Sequence, residues 1–353
     1  MKPTVLFLLA LFLIPLHAAD RPPAAAIASA HPLATEAGFE VLNAGGNAFD
    51  AAVAVSAALA VVEPYSSGMG GGGFWLLHIA NEGRQVMIDG RERAPLAAQR
   101  DTYLDAQGEV IPKASMDGAL AAAIPGVPAA LDHLTHNYGR VPLSVALAPA
   151  IRLAREGFPV TEHYRRMASF RLAALNKDKE STRLFLHQGQ APALGELIRQ
   201  PDLADVLEHM ADEGADGFYR GEVAKKLVAG VRKAGGIWTA QDLADYRVVE
   251  REPIRGRYRG FEIISASPPS SGGIALVTML NILSGFDLKA LDEAARMHLI
   301  VEAMRRAYRD RADYLGDPDF VEIPSERLLH PYYADGLRAV SYTHLTLPTK
   351  RIV

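Results

Sequence analysis

The stretch Glu63-Pro64-Tyr65-Ser66-Ser67-Gly68-Met69-Gly70-Gly71-Gly72-Gly73-Phe74 decides how this sequence is interpreted. Its glycines cannot contribute to a hydrophobic core, and they cost backbone entropy on folding. Such a run indicates that the backbone approaches another group closely, or that several N–H groups face one acceptor. The alternative is a plain glycine-rich connection packed under a sheet. An alanine-rich helix pattern at 48–60 precedes the run, and a buried-strand pattern at 74–79 follows it.

This order of elements argues against nucleotide binding. Gly68, Gly70 and Gly73 satisfy G-x-G-x-x-G. A dinucleotide site, however, needs a strand, then the glycines, then a helix whose N-terminus meets the pyrophosphate. Here the order is helix, glycines, strand, and no Lys-Ser/Thr follows as a P-loop requires.

Composition narrows the possible chemistry. The chain has 353 residues, of which 49% are hydrophobic and 22% charged, and this balance is typical of one large or two smaller globular domains. A net charge of −4 and the lack of a basic cluster interleaved with aromatic residues predict no nucleic-acid partner. The absence of cysteine excludes disulfides, thiolate metal sites and a cysteine nucleophile. Covalent chemistry would therefore use a hydroxyl, an amine or a carboxylate.

Residues 1–19 have the pattern of a signal peptide. Lys2 gives a positive start, residues 5–14 are apolar, and Ala18 and Ala19 offer a small-residue cleavage site. The apolar run is too short for an ordinary membrane-spanning helix, which makes a membrane anchor the weaker alternative. We therefore expect export to the periplasm or secretion.

The rest of the chain predicts a helix-rich α+β protein. Residues 24–30 have a small-residue strand pattern, Pro32 opens a helix that Gly45 and Gly46 stop, and Asn47 caps the next helix. Segments 74–79 and 85–88 predict a hairpin, and segment 254–264 predicts further β-structure. Further helices are predicted at 127–138, 143–155, 162–175, 203–212, 221–233, 240–246, 274–283 and about 293–314.

Three polar motifs have competing interpretations. Ser270 and Ser271 precede a helix, where hydroxyls usually cap the helix, although its free N–H groups would also suit an anion. His133 and His136 are spaced i,i+3, but without a nearby carboxylate on that face they indicate a surface pair rather than a metal site. Arg91 follows a strand; an arginine there is usually solvated, but its guanidinium could hold a substrate carboxylate in two hydrogen bonds. We predict no metal and no cofactor.

Several segments together resemble the N-terminal part of a γ-glutamyltranspeptidase (glutathione hydrolase) precursor, over residues 24–339. The resemblance is carried, in the family's order, by His31-Pro32-Leu33-Ala34, by 45–54, by Glu63 through Phe74, by Asp89-Gly90-Arg91-Glu92, by Pro268-Pro269-Ser270-Ser271-Gly272-Gly273 and by 310–320. It implies an N-terminal-nucleophile hydrolase with an αββα sandwich, present here as the helix-rich large-subunit part only.

The resemblance also implies a chemistry. Precursors of this family cleave themselves, and a threonine at the new N-terminus of the small subunit attacks a γ-glutamyl amide with its own α-amine as base. The acyl group then passes to water, an amino acid or a peptide. Glutathione or another γ-glutamyl amide is the expected donor, and the small subunit is the expected protein partner. By resemblance, Arg91 pairs with the substrate α-carboxylate.

The same resemblance places the catalytic threonine, the groups that hold the substrate amine and the oxyanion-hole glycines in the small subunit, after the large-subunit region 20–340. Residues 341–353 contain no acid and continue no helix or strand pattern, so we expect a non-native tail at a truncated end. Thr343-His344 resembles a processing junction only superficially, and Thr343 is not assigned as nucleophile. No catalytic residue is assigned within the chain. The alternatives are a cephalosporin acylase, a poly-γ-glutamate depolymerase or a non-catalytic binding subunit.

Overall fold

The computed structural model describes residues 25–346, with side chains described as far as Ala339. The predicted signal peptide, 1–19, lies outside the described residues. The helices are α1 (Pro32–Asn43), α2 (Ala48–Val62), α3 (Val127–Tyr138), α4 (Leu143–Glu156), α5 (Glu162–Phe170), α6 (Leu172–Leu175), α7 (Lys179–Phe185), α8 (Pro201–Glu213), α9 (Asp216–Tyr219), α10 (Gly221–Lys233), α11 (Ala240–Ala244), α12 (Gly272–Leu283), α13 (Glu293–Tyr314), α14 (Ser325–Leu329) and α15 (Pro331–Thr346). The strands are β1 (Gly73–Ile79), β2 (Arg84–Gly90), β3 (Phe158–Pro159), β4 (Leu197–Ile198), β5 (Val249–Arg251), β6 (Ile254–Tyr258) and β7 (Phe261–Ser265).

The predicted helix starts near the N-terminus are confirmed. His31 caps α1 by accepting a hydrogen bond from the Leu33 amide at 3.2 Å. Asn47 and Asp50 form a reciprocal capping box at the start of α2, in which each side chain accepts from the other residue's backbone N–H. These caps satisfy N–H groups that would otherwise lack partners inside the helix.

The main sheet has three strands in the order β1-β2-β5, all antiparallel. The predicted hairpin is confirmed, with Trp75 opposite Ile88. Strand β5 then pairs with β2, placing Glu250 opposite Ile88. Helix α3 packs on β2, α2 packs on α1, α3 and α4, and α8 packs on α4. The apolar side chains of α2, α3 and α4 join those of the hairpin in the largest buried cluster. A second apolar region forms around α12, α13 and the α14–α15 segment.

Helices α3, α10 and α13 coincide with their predicted ranges. Three other predictions need correction. The strand expected at 24–30 is wrong, because the described part, 25–30, is irregular and largely exposed; its four alanines and one serine offer little apolar area to bury on a sheet. The helix expected at 162–175 is divided into α5 and α6 at Arg171, whose φ and ψ of −100° and 8° leave the helical region.

The third correction concerns the C-terminal segment. We expected no regular structure after 340, yet α15 continues to Thr346. Extending an existing helix by one residue is far easier than nucleating a new one, so weak helix formers are tolerated at its end. Pro348 lies just beyond this point, and residues before a proline disfavour the α region. The origin of residues 341–353 stays a prediction, and 347–353 lie outside the described residues.

None of the helices in the described range has both the length and the apolar character needed to cross a bilayer.

Strand β1 presents a free edge. Its partner is β2, and no strand pairs with its other side within residues 25–346. Leu76 on this strand is 45% exposed. Unpaired edges with exposed apolar side chains are templates for pairing with another chain.

We therefore expect the isolated chain to self-associate, and Leu76→Lys to reduce that self-association, because a charged lysine on an edge strand opposes edge-to-edge pairing. Light scattering and binding of a hydrophobic dye measure it. Leu194→Lys is the matched control, since Leu194 is similarly exposed, at 50%, but lies in a loop. A monodisperse wild-type chain with no dye-binding surface would contradict the prediction.

Candidate functional site

The glycine-rich loop between α2 and β1 is fixed by backbone hydrogen bonds. The amides of Ser66 and Ser67 both donate to the Glu63 carbonyl at 2.9 Å. The Gly71 carbonyl accepts from the amides of Gly126 and Val127, at 2.8 and 3.0 Å, where α3 begins. The loop thus satisfies two of the unpaired N–H groups at a helix start.

The glycines are needed because three backbone segments meet at contact distance. A Cβ at Gly72 would lie 2.5 Å from the Glu92 nitrogen and 2.7 Å from the Gly90 carbonyl oxygen. A Cβ at Gly126 would lie 2.0 Å from that same Gly90 oxygen. The prediction of a close backbone approach is therefore confirmed, and any side chain at these positions would push the segments apart.

A cavity of about 460 Å³ lies over this loop. Its walls include the loop backbone, Tyr65, Trp75 and Glu92. Within the described residues, the backbone amides of Gly70 and Gly72 donate no hydrogen bond, and both residues line the cavity. The cavity therefore combines an apolar aromatic wall, a carboxylate and unpaired backbone donors.

Arg91 does not line this cavity; it forms an ion pair with Glu92, which does. Its Nε is 3.2 Å from Glu92 Oε2, and its guanidinium carbon is 6.0 Å from the centre of the Phe74 ring. The Arg91 side chain is 62% exposed. The ion pair with Glu92 uses Nε, and no second carboxylate pairs with Arg91 within the described residues. The terminal Nη groups are therefore available to a ligand. An accessible guanidinium with free donors can receive a carboxylate through two hydrogen bonds.

The backbone of Arg91 is held on both sides. Its amide donates to Asp89 Oδ1 at 3.0 Å, and its carbonyl accepts from the Tyr246 hydroxyl at 2.7 Å. Burial raises the pKa of Tyr246, with the nearby Asp89 carboxylate as the next cause, so this hydroxyl keeps its proton and acts as a donor.

Tyr65 is a second protonated phenol in the site. Burial, followed by the charge of Glu63, raises the pKa of Tyr65 to about 12. Its hydroxyl donates to Glu63 Oε1 at 3.3 Å. Tyr65 is therefore a neutral aromatic wall near neutral pH, and it does not serve as a base.

Sequence reasoning singled out Arg91 but missed its partners. Glu92 follows it directly, yet only the fold shows that its carboxylate lines the cavity. Tyr246 is distant in sequence and was predicted as the end of a helix, whereas α11 stops at Ala244. No local pattern signals that its hydroxyl reaches Arg91.

The other polar motifs lie elsewhere. The expected side-chain cap is not formed: Ser271, the N-cap residue of α12, makes no capping hydrogen bond, and its Oγ accepts from Arg311 Nε at 3.0 Å. Ser270, one residue earlier, accepts from the Gly272 amide at 3.2 Å. The expectation that no carboxylate lies near the histidine pair is wrong: β5 brings Glu250 Oε1 to 2.9 Å from His133 Nε2. Across residues 25–346, no three His, Asp or Glu side chains gather as a metal would require.

Comparison with known proteins identifies the family. The family model for gamma-glutamyltranspeptidase matches residues 34–346. The chain belongs to the γ-glutamyltranspeptidase family. It is 43% identical, over 330 residues, to a glutathione hydrolase proenzyme of Pseudomonas sp. (strain A14), covering 92% of this chain and 57% of the relative. The chain thus spans little more than half the length of this relative.

Solved structures agree. The γ-glutamyltranspeptidase of Helicobacter pylori matches with a TM-score of 0.88 and 42% identity, covering 91% of this chain and 93% of the other. A cephalosporin acylase from Bacillus halodurans matches with a TM-score of 0.80 and 33% identity, covering 91% of this chain and 62% of the other. The predicted family and fold class, an α+β N-terminal-nucleophile hydrolase, are therefore confirmed.

The glycine loop offers a matched test of backbone packing. Gly72→Ala places a Cβ against backbone atoms, so we expect it to lower the free energy of unfolding by about 1–3 kcal/mol, as overpacking does. Gly70→Ala meets no atom within 4 Å and should change stability by no more than about 0.5 kcal/mol. Urea unfolding at low protein concentration, followed by tryptophan fluorescence, measures both. Equal midpoints for the two variants would show that the loop is not closely packed.

Proposed function

We propose that this chain is the large-subunit part of an exported γ-glutamyltransferase, or glutathione hydrolase, that transfers the γ-glutamyl group of glutathione and related amides to water, amino acids or peptides. Residues 1–19 would direct export, and residues 20–340 would form the large-subunit region. The observation that carries the proposal is the accessible Arg91 guanidinium, which pairs with Glu92 in the wall of the glycine-loop cavity. The name of the Pseudomonas relative, glutathione hydrolase proenzyme, supports it.

The proposed chemistry divides between two subunits. A threonine at the N-terminus of the small subunit attacks the amide carbon, while its own α-amine takes the hydroxyl proton. The C–N bond breaks, the amine leaves with a proton, and the γ-glutamyl ester is then transferred. We place this threonine outside the chain; Thr343 lies within α15.

Arg91 would bind the part of the donor that does not react. The α-carboxylate must lose its hydration to enter the site, and a guanidinium replaces the lost water contacts with two charge-assisted hydrogen bonds. Such binding fixes the orientation of the γ-amide relative to the nucleophile.

A cephalosporin acylase is the second candidate, favoured by the match to the Bacillus halodurans structure. Arg91 favours a donor that carries a carboxylate but does not by itself identify that donor. Comparing γ-glutamyl-p-nitroanilide with an acyl-cephalosporin on the same enzyme separates the two functions.

We expect the 353-residue chain alone to have no amidase activity, because the proposed mechanism needs the small-subunit threonine and its free amine. Release of p-nitroaniline from γ-glutamyl-p-nitroanilide measures it. Turnover by the pure chain would contradict the division of chemistry between subunits.

In an enzyme completed by joining residues 20–340 to the small subunit of a relative, Arg91→Ala should lower kcat/KM about tenfold to a few hundredfold. This range follows from losing about 1.5–3 kcal/mol of charge-assisted hydrogen bonding, at about 1.36 kcal/mol per tenfold. Arg91→Lys should recover part of the loss, since a point charge lacks the fork geometry. Self-cleavage, followed by gel, should be little affected because it does not involve the substrate carboxylate.

Arg84→Ala is the matched control. Arg84 begins the same strand β2, is similarly exposed and pairs with Glu82 at 2.9 Å, but it lies at the opposite end from Arg91. It should retain wild-type kcat/KM. Wild-type kcat/KM in Arg91→Ala would show that Arg91 is only a solvated charge at a strand end.

A further inference from the structure

A partly buried ion network lies directly behind Arg91. Arg251, the last residue of β5, donates from Nε to Asp89 Oδ2 at 2.8 Å. Its Nη1 and Nη2 donate to the two carboxylate oxygens of Asp319 at 3.0 and 2.9 Å. The Arg251 side chain is 14% exposed and that of Asp89 is 7% exposed. One guanidinium therefore joins two carboxylates that come from distant parts of the sequence.

Asp89 connects this network to Arg91. Its Oδ2 accepts from Arg251, and its Oδ1 accepts from the Arg91 amide. Each oxygen of the Asp89 carboxylate thus accepts one hydrogen bond. The bond from Arg251 to Oδ2 fixes the orientation of the carboxylate, and therefore the position of Oδ1, which accepts from the Arg91 amide. The Tyr246 hydroxyl holds the carbonyl of the same residue. The peptide groups on both sides of the Arg91 Cα are therefore fixed.

Asp319 is itself held in a rigid turn. The Asp317 side chain accepts from the Asp319 amide at 3.0 Å, and the Asp317 carbonyl accepts from the amides of Phe320 and Val321 at 3.0 and 2.9 Å. This turn belongs to the segment 310–320, which had no functional role in the sequence reasoning. Its position gives Arg251 a fixed partner rather than a mobile one.

The Arg251–Asp319 pair stays charged near neutral pH. The hydrogen bond from Arg251 lowers the pKa of Asp319, and the hydrogen bonds to Asp319 and Asp89 raise the pKa of Arg251 against the opposing effect of burial. Arg93 also lies close enough to lower the pKa of Asp319. Charge-assisted, two-pronged pairs of this kind are the strongest hydrogen-bonded contacts of arginine.

We propose that Arg251, by joining Asp89 to Asp319, is a positioning residue that fixes the backbone of Arg91 and so directs the Arg91 guanidinium at the substrate carboxylate. The inference rests on the proposed function. Arg251 does not touch the substrate; it acts through Asp89. An exposed arginine has many rotamers, so the fold can position its guanidinium only by fixing the backbone from which the side chain extends.

The test compares two donors on the completed enzyme: γ-glutamyl-p-nitroanilide, and the same compound with its α-carboxylate changed to a carboxamide. The ratio of their kcat/KM values reports how well the enzyme recognises the carboxylate. We expect Arg251→Gln to lower this ratio about tenfold, mainly through KM for the carboxylate donor, since small misplacements of a binding group have effects of this size or larger. Arg251→Lys should recover part of it, because an ammonium cannot hold both partners in the same geometry.

Arg155→Gln is the matched control. Arg155 also joins two carboxylates, Asp205 and Glu208, each at 2.6 Å, but on α4 and α8 away from the cavity. It should leave the ratio unchanged. Combining Arg251→Gln with Arg91→Ala should give the ratio of Arg91→Ala alone, because residues that act through one group are not additive.

The outcomes separate the two proposals. If Arg91→Ala lowers the ratio and Arg251→Gln lowers both donors equally, Arg251 is only structural and this inference is wrong, while the proposed function stands. If Arg91→Ala leaves the ratio unchanged, the proposed role of Arg91 is itself wrong. If Arg251→Gln does not fold, Arg251→Lys serves in its place, because an ammonium cannot hold both carboxylates in the same geometry. A lowered ratio in Arg251→Lys supports the proposal, and an unchanged ratio overturns it.

Discussion

The contact of three backbone segments, with no side chain between them, is the constraint on which the site depends. The carbonyl of Gly71 caps the start of α3, and Gly126 in turn lies against the end of β2 at Gly90. Where backbones touch, their separation is set by van der Waals radii and not by a side chain that could change rotamer. The loop, the end of β2 and the start of α3 therefore form one rigid unit. Arg91 and Glu92 follow Gly90 directly, so their backbone positions are set by this unit.

How much of this could be predicted depends on the range of the interaction. Caps and helices were read from residues a few positions apart, so Asn47 and α10 agree with the structure. The site required contacts between distant residues: Tyr246 reaches the Arg91 carbonyl across 155 positions, and Arg251 reaches Asp89 across 162. No periodicity encodes such pairs. The extension of α15 beyond residue 340 was missed for a different reason. Once a helix has formed, adding a residue costs little, so residues of weak helix propensity can continue it.

The two arginines near the cavity illustrate a division of roles by burial. Arg251 is largely buried, and two carboxylates satisfy its guanidinium; removing Arg251 would leave the buried Asp89 carboxylate without its counter-charge. Such a network tolerates little movement. Arg91 is mostly exposed, and its pairing with Glu92 has the geometry of a surface ion pair. The buried network next to an exposed side chain is what the proposed role of Arg91 requires: a backbone held in one position and a guanidinium that remains accessible.

The strength of the Arg91–Glu92 pair decides whether a substrate could use Arg91 at all. Exposed ion pairs contribute about 0–1 kcal/mol, because water solvates both partners and side-chain entropy opposes their ordering. A carboxylate held by charge-assisted hydrogen bonds in a less solvated site contributes about 1.5–3 kcal/mol. On the proposed role of Arg91, the substrate interaction would therefore exceed the ion pair with Glu92 even if Glu92 had to be displaced, and the terminal Nη groups would let a carboxylate bind without displacing it. Under that proposal, Glu92 would hold the unliganded guanidinium near the cavity through a pair weak enough for the substrate carboxylate to replace.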